Sequence, residues 1–223
     1  MFEGRTQKII ALTLATLFLV GGIWWFVATF FPATPTIINF PPKGNVTVVL
    51  GDSLSEGVGA SSVDTGYVAL LAKRLHVDIV NKGVSGDTTK RGLARLDDDV
   101  LALHPNIVIV LLGGNDFIQQ VPREEMFKNL ETIIVRIQST GAVVLLLGVR
   151  GGLLHDAFSA DFAELAKRTG SAFVPNVLDS IIGDSKLMSD GIHPNDVGYQ
   201  KVADKIAPVL EGLLQAVVSK TAP

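Results

Sequence analysis

The sequence contains no cysteine among its 223 residues. This absence excludes a disulfide framework, a thiol nucleophile, a thiolate-ligated metal ion and a lipidated cysteine. It is compatible with an oxidising and with a reducing compartment, so it does not locate the protein. Aromatic side chains are also few, and both tryptophans, Trp24 and Trp25, stand near the N-terminus. The rest of the chain therefore offers little aromatic surface on which a sugar ring would stack.

Blocks of like charge are absent too, and the formal net charge is only -3. Without a basic stretch, no nucleic-acid partner is expected. Histidine is scarce, and His76, His104 and His155 form no metal-ligand spacing with one another or with His193. Asp190 and His193 would be metal ligands only with help from elsewhere in the chain. These spacings give no indication of a metal site.

The one long apolar run covers residues 9–31, because no charged residue stands between Lys8 and Lys43. As a helix, these 23 residues would be about 34 Å long, enough to cross a hydrocarbon core of about 30 Å. The sequence therefore predicts a single-pass transmembrane anchor at 9–31, preceded by a cytoplasmic N-terminus at 1–8. The alternatives are a cleaved signal peptide, whose apolar region is normally shorter, and a buried core helix.

The charges beside this run indicate its orientation. Arg5 and Lys8 precede it, whereas only Lys43 follows it closely. The positive-inside rule then leaves the N-terminus in the cytoplasm and the body of the chain outside, in the periplasm or the exterior. Residues 32–44, which contain four prolines, are expected to form a short linker to a domain at 45–218.

The domain alternates strand and helix patterns, which is typical of a parallel, doubly wound α/β sheet. The predicted strands are Val46–Leu50, Val77–Val80, Ile107–Leu112, Ala142–Leu147 and Ala172–Val174. The predicted helices are Tyr67–Leu75, Thr88–Leu103, Met126–Ile137, Asp156–Arg168 and Val197–Val217. Pro208 is expected to kink the last helix or to split it.

Small polar residues follow the first three of these strands: GDSLS at 51–55, GVSGDT at 83–88 and GGND at 113–116. A fourth polar cluster, DGIHPN at 190–195, precedes the last helix. Because ligands of open α/β sheets bind at the carboxyl ends of the strands, these clusters predict one shared pocket. Taken singly, each of them is more often an ordinary turn or helix cap.

Taken together, the clusters fit acyl transfer. Ser53 would be the nucleophile, His193 its general base, and Asp190, three residues earlier, the group that orients the imidazole. The backbone N–H groups of Ser53 and Gly86 and the side-chain amide of Asn115 would form the oxyanion hole. The residues around Ser53 do not form a Gly-x-Ser-x-Gly motif, which argues against the nucleophile elbow of the common α/β-hydrolases.

The four motifs, in this order, resemble those of the SGNH hydrolases, also called the GDSL esterase/lipase family. The longer stretches GVSGDTTKRGLARL and DGIHPNDVGYQ are most similar to the bacterial thioesterase I, protease I, lysophospholipase L1 and arylesterase subgroup. The resemblance implies a flavodoxin-like three-layer α/β/α fold with a five-stranded parallel sheet. It also implies that Ser53, Asp190 and His193 are catalytic, that Gly86 and Asn115 serve the oxyanion hole, and that no cofactor is needed.

Two loops depart from that subgroup. Phe117 and Ile118 stand where the family's substrate loop is generally richer in glycine, and the stretch VRGGLLHD at 149–156 is short where relatives carry an aromatic-containing loop. We expect Phe117, Ile118, Leu153 and Leu154 to contact the acyl chain of the substrate.

The sequence thus predicts a monomeric, membrane-anchored serine esterase that acts on small-molecule or lipid carboxylic esters and thioesters, with arylesterase, thioesterase or lysophospholipase activity. A carbohydrate or peptidoglycan O-acetylesterase is the alternative, because the same catalytic set serves both. A non-catalytic binding module is the third possibility. It would not need catalytically competent residues at all five positions of the triad and the oxyanion hole, yet this sequence has them.

Overall fold

A computed structural model describes residues 36–151 and 158–221, with the side chains of 218–221 excepted. Its centre is a five-stranded parallel sheet in the order β2-β1-β3-β4-β5. The strands are β1 (Thr47–Gly51), β2 (Ile79–Gly83), β3 (Ile107–Leu111), β4 (Val143–Leu147) and β5 (Ala172–Val174). The predicted five-stranded parallel sheet is therefore confirmed.

The strands in the middle of the sheet are apolar throughout because both of their faces are covered. Every residue of β1, β3 and β4 is buried, and the register pairs Val49 with Ile109 and Val110 with Leu146. At the edge, β2 carries Asn81 and Lys82 and is only partly buried. Burial on both faces explains why continuous apolar runs predicted the central strands well.

Eight α-helices lie in the described residues, joined by short 3₁₀ turns at Val63–Thr65 and Leu101–Leu103. They are α1 (Ser53–Glu56), α2 (Tyr67–Leu75), α3 (Thr89–Ala94), α4 (Leu96–Asp99), α5 (Gly114–Ile118), α6 (Arg123–Ser139), α7 (Ser159–Thr169) and α8 (Asp196–Thr221). Helix α2 packs against α8, whereas α3 and α7 pack against α6. The two groups of packed helices fit the three-layer arrangement.

The helix predicted over Thr88–Leu103 is wrong as a single element, because Arg95 interrupts it between α3 and α4 with φ -103° and ψ 5°. The Arg95 guanidinium turns inward and donates to the backbone carbonyls of Gly51 at 3.0 Å and Lys82 at 2.8 Å. These bonds hold together the ends of two neighbouring strands.

Helix α8 continues through Pro208, so the predicted split is also wrong. Proline removes one backbone hydrogen bond of the helix. The buried face on both sides of Pro208, which includes Ala203, Ile206 and Leu210, keeps the helix packed on the domain. Tertiary packing therefore outweighs the local cost of the proline.

The predicted linker is described only from Thr36 onward, and there it lies against the domain. The Ile38 N–H donates to the Gly170 carbonyl at 2.8 Å, and the Asn39 side chain donates to the carbonyls of Gln138 at 2.8 Å and Ala142 at 2.9 Å. These contacts lie just before β4 and β5, at the amino ends of the strands. The compact unit accordingly begins at Ile37.

The predicted anchor at 9–31 and the cytoplasmic segment at 1–8 lie outside the described residues. Among residues 36–151 and 158–221, none of the helices combines the length and the apolar character that a membrane crossing needs.

Candidate active site

Ser53 is the first residue of helix α1 and follows the central strand β1 after a turn of one residue. That residue, Asp52, caps the helix: its side chain accepts a hydrogen bond from the Leu54 N–H at 3.0 Å. The strand and the cap together fix Ser53 at the carboxyl edge of the sheet. As the first helical residue, Ser53 has an N–H without an acceptor inside the helix.

His193 lies opposite Ser53 and is bonded on both ring nitrogens. Its Nε2 is 3.0 Å from Ser53 Oγ, and its Nδ1 is 2.7 Å from Asp190 Oδ2. The other oxygen of Asp190 accepts from the backbone N–H groups of Ile192 at 2.8 Å and His193 at 2.7 Å. The hydrogen bond from His193, followed by that from Ile192, lowers the pKa of Asp190 to about 2.

The loop that carries this pair is closed by contacts between its own residues. Met188 and Pro194 form an antiparallel bridge across it, and the Ser189 N–H donates to the His193 carbonyl at 2.8 Å. The side chain of Asn195 donates to the Lys186 carbonyl at 2.9 Å. These contacts fix the backbone that carries the His193 imidazole.

Asn115 belongs to helix α5, which begins directly after the loop that follows β3. Its side-chain nitrogen donates to the Asp87 carbonyl at 3.0 Å and lies 3.4 Å from Asp52 Oδ2. The second contact is at the limit of a hydrogen bond, so that hydrogen is available to a stronger acceptor.

Gly86 lies in the turn after β2, closed by the bond from the Asp87 N–H to the Val84 carbonyl at 3.1 Å. Its φ of +80° is the left-handed value that a type II turn needs at this position and that glycine adopts without strain. Glu56 holds the turn beside helix α1, because its carboxylate accepts from the Ser85 N–H at 2.8 Å. Gly86 lies at the same sheet edge as Ser53 but does not line the cavity described next.

A cavity of about 210 Å³ opens beside Ser53, and Asn115 and His193 also line it. Most of its wall is apolar, formed by Leu54, Phe117, Ile118, Val149, Leu178, Ile182 and Ile192. Phe117 and Ile118 are 44% and 55% exposed and form part of its rim. Of the four residues predicted to contact the acyl chain, Phe117 and Ile118 line this cavity, whereas Leu153 and Leu154 lie outside the described residues.

Asp52 is a buried carboxyl group that also lines the cavity. Burial raises its pKa to about 7, against the opposing effects of the hydrogen bond from the Leu54 N–H and of the interaction with His193. The neutral and charged forms of Asp52 are therefore both accessible near neutral pH, and one of its carboxyl oxygens lies 3.4 Å from the side-chain nitrogen of Asn115.

Sequence reasoning missed the side of the cavity formed after β4 and β5. Val149 and Arg150 stand two and three residues after the end of β4, a position that the rule about strand ends would have flagged. Leu178 and Ile182 lie in an irregular segment that has no helical or strand period, so no pattern in the sequence pointed to them. No group of three or more His, Asp or Glu side chains in the described part of the chain is placed to hold a metal ion.

Comparison with known proteins gives matches over most of the domain. The chain is 34% identical over 178 residues to Esterase TesA of Pseudomonas aeruginosa, covering 75% of this chain and 88% of that one. It is 32% identical over 175 residues to Thioesterase 1/protease 1/lysophospholipase L1 of Escherichia coli, covering 75% and 84%. The crystal structure of TesA superimposes with a TM-score of 0.71 at 34% identity, over 76% of this chain and 99% of that one.

The model of the GDSL-like Lipase/Acylhydrolase family matches residues 49–201, a range that includes all four motifs. The family predicted from those motifs is thereby confirmed. The chain belongs to the GDSL-like lipase/acylhydrolase family, also known as the SGNH hydrolases, and is an esterase-type hydrolase.

Proposed function

We propose that this protein is a serine esterase that hydrolyses carboxylic esters and thioesters through an acyl-enzyme on Ser53. The observation that carries the proposal is the continuous chain of hydrogen bonds from Ser53 Oγ through the His193 ring to Asp190, at 3.0 and 2.7 Å. With Nδ1–H donating to Asp190, Nε2 is left as an acceptor for the Ser53 proton.

In the first half-reaction, His193 Nε2 takes the proton of Ser53 Oγ as this oxygen attacks the ester carbonyl carbon. The negative charge that develops on the carbonyl oxygen is stabilised by the N–H groups of Ser53 and Gly86 and by the Asn115 amide. One such donor is typically worth about 10²–10³ in rate. His193 then gives its proton to the departing alcohol or thiol, and the acyl group remains on Ser53.

In the second half-reaction, His193 removes a proton from a water molecule, whose oxygen attacks the acyl-enzyme carbonyl carbon. The carboxylic acid leaves, and the proton returns from His193 to Ser53 Oγ. Asp190 keeps the imidazole in one tautomer and stabilises its charged form. The Asp190 side chain is 50% exposed, so a water molecule can partly take over its role when the carboxylate is removed. We therefore expect removal of Asp190 to lower kcat by less than about 10⁴-fold, the loss that follows removal of a buried triad aspartate.

The apolar cavity supports an acyl chain, rather than a sugar, as the group that this enzyme binds beside Ser53. Phe117 and Ile118 extend the apolar wall to the rim, where a chain longer than the cavity would continue. The relatives named esterase, thioesterase and lysophospholipase fit this preference. Arylesterase, thioesterase and lysophospholipase activities are therefore the ones proposed.

The test combines covalent labelling with kinetics. A fluorophosphonate probe should label the wild-type protein, and Ser53→Ala should abolish the labelling and lower kcat/KM on para-nitrophenyl butyrate by about 10⁴-fold or more. Ser139→Ala is the control, since this serine lies at the far end of α6 and donates only to the Arg136 carbonyl. Labelling that survives in Ser53→Ala would refute the assignment of the nucleophile.

A series of para-nitrophenyl esters from acetyl to palmitoyl, together with acetylated glycans, separates the two substrate classes. We expect hydrolysis of medium or long acyl chains. A strict cut-off at acetyl, with activity on the glycans, would instead favour the O-acetylesterase.

We further propose that residues 9–31 anchor the enzyme in a bacterial cell membrane, with the catalytic domain on the periplasmic or outer side. The support is the length of the uncharged run and the position of Arg5 and Lys8 before it.

A further inference from the structure

Arg150 stands three residues after the end of β4 and lines the cavity that contains Ser53 and His193. Its Nε atom is buried and has no hydrogen-bond partner. Within residues 36–151 and 158–221, the ion pairs and side-chain hydrogen bonds do not include this guanidinium. A cation with no partner thus lies in the wall of the candidate active site.

The other polar groups of the cavity are already engaged. Asp52 accepts from the Leu54 N–H, Asn115 donates to the Asp87 carbonyl, and His193 is bonded to Ser53 and Asp190. The other cavity-lining residues of the segments that directly follow β4 and β5 are aliphatic: Val149, Leu178 and Ile182. The described part of the cavity therefore supplies no counter-charge on the Arg150 side.

Burying part of a guanidinium away from water without a hydrogen-bond partner costs free energy. An anionic group on the ligand would offset this cost by pairing with the guanidinium. Arginine suits this role because it stays charged at every physiological pH and offers a planar pair of donors that matches a carboxylate or a phosphate. The apolar surroundings strengthen the attraction by lowering the local dielectric constant.

We propose that Arg150 binds an anionic group, a phosphate or a carboxylate, which the substrate carries beside its scissile ester. This inference rests on the proposed esterase function and adds a substrate class to it: anionic esters are preferred over neutral ones. Strands β1 and β4 are separated by β3 alone. At about 4.8 Å per strand, the ends of β1 and β4 lie about 10 Å apart at the sheet edge after which Ser53 and Arg150 follow. A single substrate molecule can therefore span from an anion on Arg150 to an ester carbonyl at Ser53.

The anion belongs either to the acyl part or to the alcohol part of the ester, and two substrate pairs distinguish these sources. The acyl-side pair is para-nitrophenyl hemiglutarate and para-nitrophenyl valerate. The alcohol-side pair is a lysophosphatidic acid and the monoacylglycerol with the same acyl chain. We expect the wild-type enzyme to have a higher kcat/KM for the anionic member of at least one pair.

In that pair, Arg150→Gln should reduce the ratio of anionic to neutral kcat/KM by about 10- to 100-fold, the effect of losing one charged hydrogen-bonded contact. Arg150→Lys keeps the charge and should retain part of the ratio. Arg74→Gln is the matched control, since Arg74 pairs with Asp204 on the surface between α2 and α8 and should leave the ratio unchanged.

Equal wild-type kcat/KM values within both pairs, or an Arg150→Gln ratio equal to the wild-type ratio, would overturn the assignment of Arg150. Failure to hydrolyse any of the four esters would instead count against the proposed esterase function. One further measurement needs no variant: inorganic phosphate should inhibit hydrolysis of the neutral valerate ester competitively, relative to chloride at the same ionic strength. Absence of that inhibition also counts against the anion site.

Discussion

At the scale of single residues, Asp52 is a buried carboxyl group whose pKa is shifted strongly upward. It is 2% exposed, and burial raises its pKa to about 7. His193 on one side lowers this pKa and Asp87 on the other raises it, but both effects are smaller than that of burial. The folded state thus keeps a proton on Asp52 over a pH range in which the unfolded chain has lost it.

Because the pKa of Asp52 is higher in the folded than in the unfolded state, its contribution to the free energy of unfolding decreases as the pH rises. A salt-bridged aspartate, whose pKa is lowered by folding, has the opposite effect. Between about pH 4 and 7 the folded protein binds more protons than the unfolded chain at this site, so the free energy of unfolding falls as the pH rises. Asp52→Asn, which keeps the helix cap but cannot ionise, should gain stability relative to wild type by about 1 kcal/mol per pH unit in that range.

Urea unfolding of both proteins at pH 4.5, 6 and 8 measures the effect. Asp190→Asn, compared with wild type from about pH 4 down to about pH 2, is the comparison with the opposite sign: the lowered pKa of Asp190 stabilises the fold above about pH 4, and this contribution is lost as the pH falls toward about 2. Parallel stability curves for wild type and Asp52→Asn would show that Asp52 is ionised throughout.

At the scale of secondary-structure elements, the close approach of β2 to α1 fixes the turn that carries Gly86. Gly83 ends β2, and a Cβ atom placed there would lie 2.3 Å from the Glu56 nitrogen and 2.7 Å from the Ser55 carbonyl carbon. These are backbone atoms of the helix that begins with Ser53. The two elements could not pack at this distance around any other residue.

Gly83→Ala should therefore destabilise the protein by about 1–3 kcal/mol and also lower kcat, because separating β2 from α1 displaces Ser53 and Gly86 together. Gly212→Ala is the control: this glycine lies in α8 with open space around it, and alanine should stabilise the helix by up to about 1 kcal/mol. Urea unfolding and kinetics on one ester suffice for the comparison. A Gly83→Ala protein as stable and active as wild type would contradict this prediction, because it would show that β2 and α1 can move apart to admit a methyl group without loss.

The sequence predicted strands and helices correctly where the local hydrophobic pattern and the tertiary packing favour the same structure. The run Ile107–Leu111 is a central strand because it is apolar on both faces, and the polar residues after it lie at the site because strand ends in a parallel sheet share one edge. The break at Arg95 was not predictable, since its cause is a pair of carbonyls, on Gly51 and Lys82, that only the folded sheet brings near. Arg150 was missed because its significance depends on the partners it lacks in the folded cavity.

At the scale of the whole molecule, the described part of the N-terminal linker joins the domain at the amino ends of the strands, whereas the candidate site lies at their carboxyl ends. The domain is compact from Ile37 onward. The described hydrogen bonds that position Ser53, His193 and Asn115 join residues within this domain.

A chain that begins at Thr36 should therefore keep the wild-type kcat/KM on a short soluble ester but move from the membrane fraction to the supernatant. The full-length protein should resist extraction by alkaline carbonate, and Val20→Arg, which places a charge within the predicted span, should weaken that resistance. Complete extraction of the full-length protein, or a mature N-terminus near Ala33, would refute the anchor.

Ser53 and His193 are 140 positions apart, with the nucleophile early and the base in the last loop. A ribosome completes the five strands of the described sheet by Val174, before it adds the loop that presents His193 and the helix α8 that follows. A translation product that ends before this loop therefore carries Ser53 without the proposed general base. We expect such incomplete products to hydrolyse esters far more slowly than the full chain.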